Sequence, residues 1–356
     1  MYVVGTRPNI VKVAPVIAEL RRRLPGERHS LVHTGQHYDE LMSAVFLEEL
    51  GVGRPDHMLG VGSGSHAVQT ARVMERIEPV LERERPDLVI VPGDVNSTLA
   101  VTLVAAKMGI RLAHLESGLR SFDRGMPEEI NRIVADEFAD VLFVHCEDAI
   151  ENLRREGIGA DRIHFVGNTM IDSLVAMEGR FRSAGCAQRL GVRPGGYLLV
   201  TLHRPALVDG PLLLDVMDAL ADLARELPVV FPVHPRTRKM LDGVWPGVLV
   251  HEPVGYLDFL SLEADAAAVL TDSGGVQEET TFLGVPCFTL RANTERPVTV
   301  RSGTNTLLGL DPARIADILP AITGSRVTSE PPPLWDGHAS ERIGNVLTRV
   351  HAALSC

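Results

Sequence analysis

The chain has 356 residues, enough for about two domains, and 45% of them are hydrophobic while only 4% are aromatic. This composition favours layers of helix and sheet that are rich in valine, leucine and alanine. A formal net charge of −11 argues against a nucleic-acid or anionic-membrane partner, and no stretch approaches the roughly 20 apolar residues of a membrane span.

Short apolar runs alternate with helical periodicity along the chain. The first series predicts strands at 2–4, 30–33, 88–91, 110–114, 141–145 and 163–166, with helices at 67–83, 97–108 and 130–138. A second series predicts strands at 197–202, 229–233, 248–251, 267–271 and 286–290, and the last segment, 341–354, is an amphipathic helix. Runs that are apolar on both faces and joined by helices are typical of parallel sheets covered on both sides. The sequence therefore predicts two doubly wound α/β domains that join near residues 167–196.

The cysteines and the N-terminus indicate the class of protein. The four cysteines have no metal-ligand or disulfide spacing, so we expect no metal site and no disulfide framework (Cys146, Cys186, Cys287 and Cys356). Met1 leads directly into apolar residues without a basic segment or a cleavage site. We therefore expect a cytoplasmic protein, and the short first strand leaves open whether the N-terminus is complete.

The stretch from Leu270 to Glu279 passes from a buried strand through Ser273, Gly274 and Gly275 into a helix. Such a junction presents backbone N–H groups and the positive end of a helix to an anion. Ser273 can add a hydroxyl donor, and Glu279, about one turn later, can accept hydrogen bonds from ribose hydroxyls. The stretch fits a diphosphate attached to a ribose; the alternative is an ordinary helix cap followed by solvated glutamates.

Polar side chains also follow the ends of several predicted strands, where ligands of doubly wound sheets bind. They are Arg7 with Lys12 about a turn later, Asp94, Glu116, Glu128 after the loop 121–126, and His203. Five of the six have a specific structural alternative: Asp94 as a helix cap, Glu128 as a first-turn acid, His203 as a core histidine, and the two cations as surface charges. Glu116 follows a strand in a Ser-Gly turn, where a cap is less needed, so function is favoured there. Taken together, three converging carboxylates would repel one another and raise at least one pKa, which suits acid–base chemistry.

Longer motifs occur in a fixed order along the chain. They are Gly5-Thr6-Arg7-Pro8, Gly93-Asp94, His114-Leu115-Glu116-Ser117-Gly118-Leu119-Arg120, Pro127-Glu128-Glu129-Ile130-Asn131-Arg132, Gly167-Asn168-Thr169, His203-Arg204, Pro232-Val233-His234, Thr271 to Glu279, and Thr294-Glu295-Arg296-Pro297. Together they resemble the non-hydrolysing UDP-N-acetylglucosamine 2-epimerases over essentially the whole chain.

The resemblance implies a GT-B fold, in which two Rossmann-like doubly wound domains surround a central cleft. It implies an N-terminal domain at 1–170 with the acid–base carboxylates, a UDP-binding domain at 171–338, and a helix at 339–356 that packs back on the first domain. It also implies a homodimer that converts UDP-GlcNAc to UDP-ManNAc reversibly and needs no metal or other cofactor.

The implied reaction is an anti elimination of UDP to 2-acetamidoglucal, followed by syn re-addition. By resemblance Asp94, Glu116 and Glu128 are the acid–base groups, with individual roles unassigned because their titrations are coupled. By the same resemblance, His203 and Arg7, helped by Lys12, contact the phosphates or the leaving oxygen. Ser273, Gly274 and Gly275 bind the diphosphate, and Arg296 binds the phosphate or the sugar. Glu279 binds the ribose, and Phe259 lines the uracil pocket. A second UDP-GlcNAc is expected as an activator near Gln36, His37, Glu129, Arg204 and His234.

One departure and several alternatives stay open. Ala206-Leu207 stands where the family usually has a Glu-Asn pair, which puts acetamido recognition or activation by UDP-GlcNAc in doubt. A hydrolysing epimerase would use the same carboxylates but release ManNAc and UDP. A GT-B glycosyltransferase would need an acceptor groove, and a nucleotide-sugar sensor would have no use for three carboxylates. The pathway served is not readable from the sequence.

Overall fold

The computed structural model describes residues 1–36, 46–233, 235–241, 243–324 and 330–354, without the side chains of 205, 206, 235, 236, 353 and 354. The chain divides into two compact units. The first unit combines Met1–Val175 with Pro333–Cys356, and the second unit is Ala176–Pro332.

The first unit contains a parallel sheet of seven described strands in the order β3-β2-β1-β4-β5-β6-β7. The strands are β1 (Tyr2–Val4), β2 (Leu31–His33), β3 (His57–Met58), β4 (Leu88–Pro92), β5 (Arg111–Leu115), β6 (Val141–Val144) and β7 (Ile163–Phe165). The helices include α1 (Arg7–Arg23), α2 (His66–Glu84), α3 (Asn96–Lys107), α4 (Pro127–Phe138), α5 (Glu147–Arg155) and α6 (Thr169–Arg182), which continues into the second unit, with a 3₁₀ turn at Ala160–Arg162. The strand order reverses between β1 and β4, and this is where doubly wound sheets bind ligands.

The core of the first unit depends on the last helix of the chain, α15 (Ala339–Leu354). Its residues Ile343 and Leu347 are buried in the same apolar cluster as Ile10 and Ile17 of α1. Burying one leucine- or isoleucine-sized side chain is worth about 1.5–3 kcal/mol, so this contact is a substantial part of the unit's stability. The apolar face predicted for the segment thus packs on the first unit.

The second unit repeats the same strand order in a parallel sheet of six described strands, β10-β9-β8-β11-β12-β13. The strands are β8 (Leu198–Thr201), β9 (Val229–Pro232), β10 (Val248–His251), β11 (Ala268–Thr271), β12 (Cys287–Thr289) and β13 (Asn305–Leu307). The helices include α7 (Cys186–Arg189), α8 (Pro205–Val208), α9 (Leu212–Leu223), α10 (Pro235–Arg238), α11 (Tyr256–Ala264), α12 (Gly274–Leu283), α13 (Pro297–Arg301) and α14 (Ile318–Gly324), with a 3₁₀ stretch at Pro312–Asp317. The reversal here falls between β8 and β11.

The predicted α/β class and both parallel sheets are confirmed, and two edge strands were missed. β3 has two residues, too few for an apolar run, and β13 carries the polar residues Asn305 and Thr306. Among the described residues, no helix is long and apolar enough to cross a membrane.

Candidate active site

The turn after β1 is tied to the turn after β4 at the first reversal point. Asn9 Oδ1 accepts the backbone N–H of Gly5 at 3.1 Å, and its amide donates to the carbonyl of Pro92 at 3.1 Å. A β-carbon on Gly5 would lie 2.4 Å from Ser97 Oγ, closer than packed atoms allow. Glycine at this position therefore lets the turn approach the start of α3.

Glu116 follows β5 directly and adopts the left-handed backbone conformation, with φ of 66°. This conformation is uncommon for a residue other than glycine and is found at active sites where surrounding contacts hold it. Its carboxylate forms an ion pair with the ammonium of Lys12, and each side chain is 8% exposed. Lys12 is thus a buried partner of Glu116 and not a surface charge.

Gly93 lies against this ion pair and immediately precedes Asp94. It has φ of 64°, and a β-carbon there would lie 3.2 Å from Lys12 Nζ and 3.4 Å from Glu116 Oε2. The turns after β4 and β5 therefore bring the backbone next to Asp94 close to the carboxylate of Glu116.

Asp94 binds Arg132, which lies on α4 and was given no role by the sequence. Arg132 donates to Asp94 Oδ2 from Nε at 2.9 Å and from Nη2 at 2.6 Å, and from Nη1 to Glu129 Oε2 at 2.7 Å. The N-cap of α3 is Val95 and has no side-chain cap bond, so Asp94 is not the helix cap that the sequence left open.

Glu128 lies in the first turn of α4, partly exposed, where the helix dipole favours an acid. It makes no hydrogen bond or ion pair with the described residues. Arg7 is also partly exposed, with its guanidinium carbon 6.0 Å from the ring centre of Phe46. The catalytic and phosphate-binding roles of these two residues stay predictions.

The sequence had suggested that the carboxylates of the first unit repel one another. The structure instead pairs two of them with cations. Asp94 is paired with Arg132 and Glu116 with Lys12, so a cation offsets each of these two charges. Removing one carboxylate would therefore strand a buried cation and not simply relieve a repulsion.

At the second reversal point, His203 lies next to Asp272, which follows β11. Asp272 is buried and accepts the backbone N–H of His203 at 2.9 Å and that of Arg204 at 2.7 Å. His203 Nδ1 lies 2.8 Å from Asp272 Oδ1, at the distance of an ion pair but off ideal hydrogen-bond geometry. Because the His203 side chain is 56% exposed, it is not the core histidine that was left open.

The strand–glycine–helix junction forms as predicted, and α12 begins at Gly274. Ser273 occupies the N-cap without a side-chain cap bond, so its hydroxyl does not serve the helix. A β-carbon on Gly274 would lie 2.3 Å from Arg296 Nη1, which shows how closely the guanidinium covers this turn. The junction therefore offers a helix N-terminus, a serine hydroxyl and a nearby arginine to an anion.

Arg296 is held by two carboxylates in addition to its contact with Gly274. Its Nε donates to Glu278 Oε1 at 2.7 Å and its Nη1 to Glu295 Oε1 at 2.5 Å, and all three side chains are at most 5% exposed. Glu295 also accepts from Arg291 Nη2 at 2.6 Å. These bonds fix the orientation of Arg296, whose contact with substrate stays a prediction.

Glu279 is buried in α12 and accepts a hydrogen bond from the hydroxyl of Tyr256 at 2.6 Å. Burial raises its pKa to about 7, the Tyr256 hydrogen bond lowers it in part, and the charge of Glu278 raises it further. A buried carboxyl with a pKa near 7, close to a helix N-terminus, is typical of a functional site. Phe259, the predicted uracil contact, lies on the same helix as Tyr256 and is half-buried against the apolar cluster that contains Val276.

The residues predicted for an activator site are distributed over both units. Gln36 Oε1 accepts from the backbone and hydroxyl of Ser97 at 3.0 and 2.8 Å. Glu129 is buried and accepts the backbone N–H groups of residues 121 and 122, both at 2.9 Å. Arg204 Nε donates to the carbonyl of residue 272 at 3.1 Å. His37 and His234 lie outside the described residues.

Sequence reasoning missed three side chains that hold the predicted ones in place: Arg132, Asp272 and Tyr256. Arg132 follows Glu128 by four residues and Glu129 by three, the spacings at which helix side chains meet, so it carried a detectable signal. Asp272 directly follows a buried strand and could also have been singled out. Tyr256 had no such signal.

Comparison with known proteins identifies the family and the fold of the chain. Residues 19–348 match the family described as UDP-N-acetylglucosamine 2-epimerase. The chain is 40% identical to the UDP-N-acetylglucosamine 2-epimerase of Methanococcus maripaludis, with 97% of each chain covered. It is 39% identical to the UDP-2,3-diacetamido-2,3-dideoxy-D-glucuronate 2-epimerase of Pseudomonas aeruginosa, with 98% of this chain and 99% of the relative covered.

Among solved structures, the chain resembles the UDP-GlcNAc 2-epimerase of Methanocaldococcus jannaschii in complex with UDP-GlcNAc and UDP. The TM-score is 0.89 at 40% identity, and the match covers 98% of this chain and 99% of the other. The predicted GT-B class, built from two Rossmann-like units, is thereby confirmed. The family match extends over most of the sequence and these relatives cover it almost end to end, so the chain belongs to the UDP-N-acetylglucosamine 2-epimerase family.

Proposed function

We propose that the protein reversibly inverts C2 of UDP-GlcNAc to give UDP-ManNAc, without releasing free sugar. The observation that carries the proposal is the carboxyl edge of the first sheet. There Asp94 and Glu116 follow neighbouring strands, each beside its own cation, and Glu128 opens the helix that supplies Arg132. Because the chain belongs to the UDP-N-acetylglucosamine 2-epimerase family, we propose a sugar nucleotide as the substrate of these acid–base groups.

The proposed reaction needs one group to take the C2 proton and another to return a proton to the opposite face. Removing that proton is coupled to loss of UDP, which gives 2-acetamidoglucal, and re-addition of UDP restores the sugar nucleotide. The carboxylates at 94, 116 and 128 are the acid–base groups in this scheme. Two of them are held in position by ion pairs with buried cations.

The second unit supplies the groups for the nucleotide. The N–H groups at the start of α12 and the Ser273 hydroxyl bind the diphosphate, and Glu279 accepts the ribose hydroxyls. His203, with Nδ1 facing Asp272, uses its other ring nitrogen to donate to the leaving oxygen. Stabilising the departing diphosphate lowers the barrier to elimination.

The name of the Pseudomonas aeruginosa relative makes its sugar a second candidate substrate for the same inversion. We therefore test both nucleotide sugars, in separate incubations in deuterated water, with and without a chelator, and with products analysed by NMR and mass spectrometry. The proposal expects UDP-ManNAc with deuterium at C2, trace 2-acetamidoglucal and no effect of the chelator.

Other outcomes contradict the proposal in different ways. Free ManNAc as the main product would identify a hydrolysing epimerase, and an epimer without deuterium would rule out the proton-exchange mechanism. Turnover of the diacetamido sugar alone would change the substrate. Sugar transfer to an acceptor without exchange at C2 would identify a glycosyltransferase. We also propose that the protein is a homodimer, which sedimentation of the purified protein tests. We propose the cytoplasm as its location.

A further inference from the structure

His114 lies on β5, two residues before Glu116, and its side chain is fully buried. Its Nδ1 is 2.8 Å from Asp136 Oδ1, and its Nε2 is 2.8 Å from the backbone carbonyl oxygen of Gly93. A carbonyl oxygen only accepts hydrogen bonds, and so does an ionised carboxylate. Both ring nitrogens must therefore carry a proton if Asp136 is ionised.

The surroundings of Asp136 keep it ionised. Its second oxygen accepts the backbone N–H of Gly118 at 3.0 Å and pairs with Arg120 Nη1 at 2.7 Å. Burial raises the pKa of Asp136, whereas the charge and the hydrogen bond of Arg120 lower it independently of the state of His114. A protonated Asp136 that donates to a neutral imidazole could keep these contacts, but the buried guanidinium of Arg120 would then face an uncharged carboxyl group.

The charges around His114 balance when the ring is a cation. Arg120 also donates to Glu156, from Nε at 2.8 Å and from Nη2 at 2.5 Å. Two cations, His114 and Arg120, thus face two anions, Asp136 and Glu156. The charged groups across the Gly93 turn form the Lys12–Glu116 pair, which adds no net charge.

We infer that His114 is a buried imidazolium cation at neutral pH and a positioning residue for the turns that carry Asp94 and Glu116. One of its N–H groups fixes the carbonyl of Gly93, the residue before Asp94. Its backbone carbonyl accepts from the hydroxyl of Ser117 at 2.7 Å, and Asp136 fixes Gly118, so the turn after Glu116 is held by the same network. A neutral ring would place a lone pair against one of two acceptors. The positioning role rests on the proposed function, whereas the charge state does not.

The charge state is tested by NMR of the nitrogen-15-labelled full chain without substrate. His114 should show two protonated ring nitrogens at neutral pH, and its signals are identified by their loss in His114→Gln. The same spectrum contains a control, because His33 is also buried and its Nδ1 accepts from the N–H of Gly35 at 3.0 Å. Burial lowers the pKa of His33, so it should show one unprotonated nitrogen. An unprotonated ring nitrogen on His114 would overturn the inference.

The positioning role is tested by steady-state kinetics of His114→Gln and Asp136→Asn with UDP-GlcNAc. Misplacing a catalytic group by about 1 Å can cost about 10²-fold, so kcat should fall on that order while KM changes little. His164→Gln, a half-buried histidine on β7, is the matched control and should keep both values. Wild-type kcat in a folded His114→Gln would refute positioning. If that variant fails to fold, the kinetics of Asp136→Asn decide the positioning role, and the shift of the His114 ring signals in Asp136→Asn identifies them in the wild-type spectrum. Absence of any turnover by the wild type would refute the proposed function and leave the NMR result standing.

Discussion

The affinity for UDP-GlcNAc should rise with pH through the titration of Glu279. Its pKa is about 7 in the free protein, mainly because burial opposes ionisation. If the ribose hydroxyls donate to this carboxylate, a proton on Glu279 competes with the ligand. Between about pH 8 and about pH 6 the ionised fraction falls from about nine-tenths to about one-tenth, so the affinity falls about tenfold, or ~1.4 kcal/mol.

Calorimetric titration with UDP-GlcNAc measures this effect. UDP-GlcNAc is a diphosphate diester, so it lacks the terminal phosphate of UDP, which would itself titrate. Glu279→Gln should bind UDP-GlcNAc more weakly, with an affinity that does not change with pH. In the wild type the Tyr256 hydrogen bond lowers the pKa of Glu279, so its removal in Tyr256→Phe should move the midpoint of the profile to higher pH. Glu252→Gln, an exposed carboxyl in the same unit, is the control and should behave like the wild type. A flat profile for the wild type, or the wild-type slope retained in Glu279→Gln, would refute the reasoning.

The same titration affects the free energy of unfolding. The folded pKa of Glu279 lies above the ordinary glutamate pKa of 4.5, so its contribution to stability is fully present below about pH 4.5 and is lost as pH rises through about 7. A shift of this size corresponds to roughly 3 kcal/mol. Urea unfolding at about pH 5 and about pH 8 should therefore show a smaller loss of stability in Glu279→Gln than in the wild type, and equal losses would assign the pH dependence to other groups.

Three further predictions concern turnover, stability and activation. Asp94→Asn, Glu116→Gln and Glu128→Gln should each lower turnover by about 10²–10⁴-fold with UDP-GlcNAc affinity nearly unchanged, and near-normal turnover would return that residue to a structural role. Glu116→Gln should also destabilise the fold by about 1–3 kcal/mol in urea unfolding, because Lys12 stays buried without its carboxylate, whereas Glu128→Gln should change stability by less than about 0.5 kcal/mol. The apolar pair Ala206-Leu207 should weaken activation, so the reverse reaction from UDP-ManNAc should start with little lag; a long lag abolished by UDP-GlcNAc would contradict this.

Sequence patterns predicted most of the strands because a buried parallel strand is a continuous apolar run with a clear end. They also indicated Asp94 and Glu116, since a polar residue after such a run lies at the ligand-binding edge whatever the rest of the fold does. The same reasoning fails for β13, where Thr306 and Asn305 belong to an edge strand that need not be apolar.

The partners of the site residues could not be predicted in the same way. Arg132 and Asp94 are 38 residues apart and meet because the fold brings the turn after β4 next to helix α4. The sequence contains the helix spacing of Arg132 but not the identity of the acid that it meets. The left-handed backbone of Glu116 is likewise a product of the surrounding contacts, because no local preference of glutamate favours it.

The return of α15 to the first unit has a consequence for the order of synthesis. The ribosome releases all of β1 to β7 before it has made residues 343 and 347, which complete their core. The second unit is continuous in the chain and can finish folding while the first still exposes the apolar face of α1. Domains that emerge first usually fold first, and here the N-terminal unit must wait for the last helix of the chain. A chain shortened before α15 would thus lose part of the core of the unit that carries Asp94 and Glu116, although every residue of that site would be present.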